Sequence, residues 1–201
     1  MEKVAELKKL AQEILKCTKC KLSLTRKNAV PGDGSLKADI ILVGEAPGVQ
    51  EDRQGLPFVG EAGKLLTSLL SSIGLSRTDV YITNIVKCRP PKNREPTKEE
   101  ITTCLHYLRK QTSLIKPSII CTLGRIASET LIDKKLSISK EHGKLKKMGK
   151  ITYLPLYHPA AALYNPKLKD TLFADIKTLE KLSKNAKITL NNFNHYKKSK
   201  I

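Results

Sequence analysis

The sequence predicts an α/β fold with four strands in a parallel sheet and helices on both faces. Two observations carry this prediction. Short β-prone runs at 38–43, 80–86, 117–123 and 152–156 alternate with segments whose apolar residues recur at helical spacing. The first run, Ile40-Ile41-Leu42-Val43, is apolar at consecutive positions, as in a buried strand. Right-handed crossovers between parallel strands then place the intervening helices on the sheet's faces. All four strands deliver their following loops to one edge, where open α/β sheets bind ligands. Glu45, Asn84 and His158 lie at or just past three strand ends, so they are expected to converge.

Taken in order, residues 2–16 suit an amphipathic helix, with Val4, Leu7, Leu10, Ala11, Ile14 and Leu15 on one side. It runs into Cys17-Thr18-Lys19-Cys20 and a polar link containing Pro31-Gly32-Asp33-Gly34. The first strand stops at Gly44-Glu45-Ala46-Pro47-Gly48, because Pro lacks a donor and Gly frees the backbone. A polar loop follows, and Leu56-Pro57-Phe58-Val59 reads as a lid or pocket wall. A helix over 61–73 sets Leu65, Leu66, Leu69 and Leu70 on one side and stops at Gly74.

The second strand ends in a stiff basic loop, Cys88-Arg89-Pro90-Pro91-Lys92-Asn93-Arg94-Glu95-Pro96. Thr97 caps the next helix, which has Glu99 and Glu100 in its first turn, carries Cys104 and runs to about Ile115. The third strand holds Cys121, and Gly124 turns into a helix over 125–132. The lysine-rich stretch from Lys134 to Lys150 is expected as a hairpin or exposed loop. The fourth strand ends at Tyr157-His158-Pro159, and a last amphipathic helix is expected over 169–184. The reading is thus one domain over 1–184 and a flexible basic tail over 185–201.

Composition narrows the partners. Lys and Arg number 37 against 19 Asp and Glu, a net charge of +18, which favours a polyanion: nucleic acid first, an anionic membrane surface second. Aromatics make up only 4% of the chain, which argues against a platform that stacks several bases but leaves room for one reading pocket. No apolar run reaches the length of a membrane span, and the charged N-terminus has no signal-peptide core, so a cytoplasmic protein is expected. A monomer is expected as well.

Five cysteines are present. Cys121 reads as a small buried thiol. Cys17 and Cys20 follow a helix, whereas a thioredoxin-type pair would follow a strand. Zinc tolerates but does not favour the wide Cys88–Cys104 spacing, and an iron–sulfur cluster accepts it. Bound metal of either kind would staple the N-terminal helix to the loop after the second strand.

The motifs Gly44-Glu45-Ala46-Pro47-Gly48, Leu56-Pro57-Phe58-Val59-Gly60, Asn84-Ile85-Val86-Lys87-Cys88-Arg89-Pro90-Pro91 and His158-Pro159-Ala160 occur in that order. With Cys17, Cys20 and Cys104 they closely resemble the family 4 uracil-DNA glycosylases over about residues 10–180. The resemblance implies a three-layer α/β/α sandwich around a four-stranded parallel sheet. It implies a [4Fe-4S] cluster held by Cys17, Cys20, Cys88 and Cys104. The implied activity is removal of flipped-out uracil from DNA, which leaves an abasic site for base-excision repair.

By the same resemblance, Gly44, Glu45, Ala46, Phe58, Asn84 and His158 line the uracil site. Phe58 would stack on the base, Asn84 would read its polar edge and His158 would stabilise the leaving anion. Glu45 would act on water or on the cationic sugar. Family 1 enzymes carry Asp in the related motif where Ala46 stands, and a thymine-excluding Tyr where Gly48 stands, so water activation and methyl exclusion must differ. Arg89, Lys92, Arg94 and Lys167 are candidate phosphate contacts, and Leu163 a candidate wedge for the gap in the duplex. In the tail, Leu190 and Phe193 resemble the anchors of a sliding-clamp-binding peptide.

Overall fold

The computed structural model describes residues 2–179. Its centre is a sheet of β1 (Asp33–Gly34), β2 (Ile40–Gly44), β3 (Tyr81–Asn84), β4 (Ile119–Leu123), β5 (Lys146–Met148) and β6 (Ile151–Leu156). The spatial order is β1-β3-β2-β4-β6-β5. β3, β2, β4 and β6 pair in parallel and are the four strands expected from sequence. β1 and β5 add short antiparallel edges, so the sheet is mixed. Sequence periodicity cannot find strands of two or three residues such as Asp33-Gly34 and Lys146-Lys147-Met148.

The helices are α1 (Glu2–Leu15), α2 (Val49–Gln54), α3 (Glu61–Ser72), α4 (Lys98–Ile115), α5 (Arg125–Leu131), α6 (Ile138–Glu141), α7 (Pro159–Ala162) and α8, helical over 166–179. The consecutive apolar residues of β2 divide between two cores. Ile40 and Leu42 face Leu66, Leu69 and Leu70 of α3 and Leu172 and Ile176 of α8. Ile41 and Val43 face Leu10 and Ile14 of α1, Leu108 of α4 and Ala127 of α5. This is a three-layer α/β/α sandwich. Leu66 and Leu70 are fully buried, so truncating either to Ala is worth about 2–5 kcal/mol.

Helix ends follow their signals. Thr97 Oγ1 accepts from the Glu100 N–H at 3.2 Å, and the Glu100 carboxylate accepts from the Thr97 N–H at 2.8 Å, a reciprocal cap that fixes the start of α4. Gly74 ends α3 at φ +72° while Leu75 N–H reaches back to the Leu70 carbonyl at 3.0 Å. Two expectations change. The stretch read as a polar loop after β2 contains α2, and the last helix starts at 166 instead of 169. The lysine-rich stretch is a short helix followed by the β5–β6 hairpin. The boundary at 184, the tail, Leu190 and Phe193 lie outside the described residues. No helix among the described residues is long and apolar enough to cross a membrane.

Candidate active site

From β2 the chain crosses to β3 on one side of it and then to β4 on the other, so the crevice at the carboxyl ends of these strands is a topological switch point. A cavity of about 310 Å³ opens there and is lined by Glu45, Ala46, Phe58, Asn84 and His158, all named from sequence, together with Arg94 and Glu51. Glu45 follows β2, Asn84 ends β3 and His158 follows β6.

Asn84 is 1% exposed. Its Oδ1 is the one buried side-chain nitrogen or oxygen among the described residues that lacks a hydrogen-bond partner. An unmatched buried acceptor is costly, so its position calls for a function. Gly44 makes room for it: a Cβ there would overlap Asn84 Oδ1 and lie 2.7 Å from Phe58 Cζ. Phe58 is buried, and its ring centroid stands 5.7 Å from that of His158.

The Phe58 backbone adopts φ +51°, a costly conformation for an aromatic residue. Two devices hold it. The Arg77 guanidinium donates to the Pro57 carbonyl at 2.7 Å and the Phe58 carbonyl at 3.1 Å. Gly63 lets α3 approach, since a Cβ there would overlap the Phe58 carbonyl. Glu51, in the first turn of α2, ties the loop from within: its carboxylate accepts from Gly48 N–H (3.1 Å), Val59 N–H (2.8 Å) and Gly60 N–H (2.9 Å). It also fills the space beside Gly48, where a Cβ would meet Glu51 Oε2 at 2.7 Å. The sequence reading missed Glu51 and Arg77. The Glu three residues after Gly48 was the available signal for a helix start there.

His158 Nδ1 accepts from the Ala160 N–H at 3.1 Å. A backbone N–H can only donate, so Nδ1 carries no proton and Nε2 carries the ring hydrogen. Burial pushes the imidazole pKa down to about 4, opposed by the charge of Glu51, so the ring is neutral near pH 7. Glu45 is half-buried. Burial raises its pKa, nearby Glu95 raises it further, and Arg125 opposes both. Arg125 donates to Glu95 at 2.5 Å and to Glu129 at 3.0 Å, which ties the basic loop to the start of α5.

The phosphate-contact candidates separate. Lys92 is exposed, at φ +55°. Arg89 Nε donates to Asn93 Oδ1 at 2.7 Å. Arg94 is engaged by both oxygens of Glu100, at 2.9 and 2.7 Å. Leu163 is 40% exposed and follows α7 directly.

Cys17, Cys20, Cys88 and Cys104 line one small enclosed cavity, and all are unbridged. Cys121 sits apart in β4. The Arg26 guanidinium donates to Cys88 Sγ at 2.9 Å, and the Lys87 N–H donates to Cys104 Sγ at 3.3 Å. Burial raises the Cys88 thiol pKa and pushes that of Cys104 up to about 11. No three of the described His, Cys, Asp and Glu side chains are gathered as a single metal ion would require. Lys87, between this cavity and Asn84, is 1% exposed, and burial pushes its pKa down to about 7 against the opposing pull of Cys104 and Cys88.

Residues 31–181 match the family model of the uracil DNA glycosylase superfamily. The chain is 51% identical over 193 residues to the type-4 uracil-DNA glycosylase of Saccharolobus solfataricus, covering 92% of this chain and 89% of that protein. It is 50% identical to that of Sulfurisphaera tokodaii, over 88% of this chain and 84% of the other. It is 48% identical to that of Archaeoglobus fulgidus, over 86% and 91% respectively. The matched span includes Asn84, Phe58 and His158, and on this similarity the chain belongs to the uracil DNA glycosylase superfamily and, within it, to the type-4 uracil-DNA glycosylases.

Proposed function

We propose that this chain excises uracil from DNA by hydrolysing the bond between uracil N1 and deoxyribose C1′. The observation that carries this reading is the buried, unpartnered Asn84 Oδ1 in the same cavity as Phe58 and His158. A flipped uracil offers an N3–H to that oxygen and its O4 to the amide's donor. Cytosine presents the opposite pattern, and a mismatched buried pair is worth ~10⁴-fold in discrimination. Phe58 covers one face of the base. Glu51 closes the wall beside Gly48, where thymine's methyl group would need space.

Bond breaking gives the sugar cationic character and the base negative charge. The Nε2–H of neutral His158 donates to uracil O2, where that charge develops, and Ala160 keeps the proton on Nε2. Glu45 faces the sugar side. Its carboxylate orients the attacking water and stabilises the cationic sugar, and its raised pKa keeps it basic enough to take the water's proton. Lys92 and Arg89 supply sequence-neutral phosphate contacts, and Leu163 fills the gap left in the stack.

We further propose that Cys17, Cys20, Cys88 and Cys104 hold a [4Fe-4S] cluster. Four unbridged thiols, an arginine donor and a backbone donor surround one cavity, which suits a charged sulfur-ligated core. A multi-iron core spreads its ligand sulfurs more widely than one zinc ion and accepts cysteines scattered along the chain. Such a cluster would staple α1 to the 88–104 segment. No step of the reaction is assigned to it.

The test is a labelled oligonucleotide with one uracil, incubated with the protein and cleaved with alkali at abasic sites. Strand cleavage is expected with uracil and not with thymine or cytosine, and Asn84→Ala should retain DNA binding while losing cleavage. Binding without cleavage by the native chain would overturn the reading.

A further inference from the structure

We propose that Lys87 is the positioning residue for base reading: its ammonium fixes the peptide beneath Asn84 from the wall of the cysteine cavity. This rests on the reading of Asn84 given above. Lys87 Nζ lies 2.8 Å from the Asn84 carbonyl oxygen, 2.8 Å from Gln111 Oε1 and 2.6 Å from Thr83 Oγ1.

All three partners are acceptors. The single Thr83 hydroxyl proton goes to the Pro31 carbonyl at 2.9 Å, so its lone pair faces Lys87. The Gln111 amide nitrogen donates to the Pro31 carbonyl at 2.8 Å and to the Tyr81 hydroxyl at 3.0 Å, which turns its oxygen toward Lys87. Three N–H groups therefore meet three acceptors, and the ammonium is fully matched. Its main chain is held as well: the Lys87 N–H donates to Cys104 Sγ at 3.3 Å, and its carbonyl accepts from Val30 N–H at 2.7 Å.

Stability alone does not account for a lysine here. An apolar side chain would fill the space without desolvating a charge. The ammonium instead provides a directional lock. Asn84 is the last residue of β3, and beyond it the chain turns away toward Cys88. Holding its carbonyl fixes the peptide plane and so the direction in which the amide leaves the backbone. A reading amide must be held within about 10–20° to be useful. Lys87 thus joins the substrate pocket to α4, through Gln111, and to the cysteine cavity, through its own N–H.

The experiment compares two DNAs that are not cleaved. One carries 2′-fluoro-2′-deoxyuridine, whose fluorine opposes the cationic sugar, and the other an abasic analogue at the same position. The ratio of their dissociation constants reports uracil reading apart from DNA binding. It is measured for the full native chain, Lys87→Met and Gln111→Met at equal iron content. In Lys87→Met the preference for uracil is expected to fall about tenfold or more, with abasic binding within about twofold of native. Gln111→Met touches neither Asn84 nor a cysteine, and Tyr81→Phe, which removes the Gln111–Tyr81 bond and leaves the Lys87 contacts, is its control. A loss in Gln111→Met beyond that in Tyr81→Phe is assigned to Lys87, and this comparison carries the test alone where Lys87→Met does not fold. A preserved preference in the folded variants, or an equal fall in both affinities, overturns this proposal alone. No preference in the native chain overturns the reading of the pocket and the proposal with it.

Discussion

Gly44→Ala gives a sharp test of the pocket because its effect follows from space alone. The Gly44 backbone lies in a region open to any residue, so an added Cβ brings no φ penalty. It would overlap Asn84 Oδ1 and stand 2.7 Å from Phe58 Cζ. Carbon atoms rest about 3.5–4.0 Å apart, so the ring, the amide or the strand must give by about 1 Å. The strand is the stiffest of the three, since Gly44 pairs with Asn84 and its carbonyl accepts from Ile85 N–H at 2.9 Å. The displacement therefore falls on the stacking and reading side chains. Misplacement by about 1 Å costs about 10²-fold in rate. Overpacking should also lower stability by about 1–3 kcal/mol. Single-turnover excision with enzyme in excess measures the chemical step, and thermal unfolding of the same preparation measures the folding cost. A folded Gly44→Ala protein within about threefold of the native rate would show that Gly44, Asn84 and Phe58 do not form one reading unit.

Arg77→Ala removes both donors to the Pro57 and Phe58 carbonyls and should lower kcat/KM about tenfold, checked by steady-state kinetics on uracil DNA. His158 titrates near 4 when folded against about 6.5 when unfolded, so the unfolded chain takes up protons first as pH falls. Its contribution to stability is full above about pH 6.5 and is lost toward pH 4, up to about 3 kcal/mol, and urea unfolding at pH 7 and 5 should show a drop that His158→Gln lacks. Cys88→Ala should lose iron and visible absorbance, whereas Cys121→Ala, away from the cysteine cavity, should keep both. Lys92→Ala should reduce the salt dependence of DNA binding by about one unit of slope, and Arg94→Ala by less, because Glu100 already occupies its guanidinium.

The four parallel strands and the convergence of Glu45, Asn84 and His158 were legible because each strand announces itself locally. Each is a short apolar run ended by residues that cannot continue it, such as the Pro and Gly after Glu45. Crossover handedness then aligns the ends without further information. The edge strands were hidden for the opposite reason. Asp33-Gly34 offers no apolar side chain, and its pairing is fixed by tertiary contact: a Cβ on Gly34 would overlap the Val80 carbonyl across the ladder. Helix α2 was hidden because its buried anchor is Asp52, which accepts from Lys27 N–H at 2.9 Å, so no apolar stripe marks the helix.

Glu45, Phe58, Asn84 and His158 were named from sequence, while Glu51, Arg77 and Gln111, which hold the loop and peptides around them, were not, and the difference is physical. A group that meets substrate must stand at a strand end or in a loop marked by Gly and Pro, and such places are visible in one sequence. A group that holds it needs only one or two hydrogen bonds, from any distance along the chain. Arg77 reaches Phe58 across 19 residues, Gln111 meets Lys87 across 24, and Arg26 meets Cys88 across 62. None of these leaves a period or a turn signature. Their trace lies in the glycines that accommodate the result. Gly44 and Gly63 are small because Asn84 and Phe58 must pass close to them, and Phe58 keeps φ +51° because Arg77 and Gly63 together leave it no cheaper position. Gly63→Ala and Arg77→Ala should therefore not add independently. Gly63→Ala pushes a Cβ against the same Phe58 carbonyl that Arg77→Ala releases, so a double-mutant cycle on excision rate should give an interaction of about 0.5–3 kcal/mol. Strict additivity would mean that the backbone of Phe58 is set by something other than this pair.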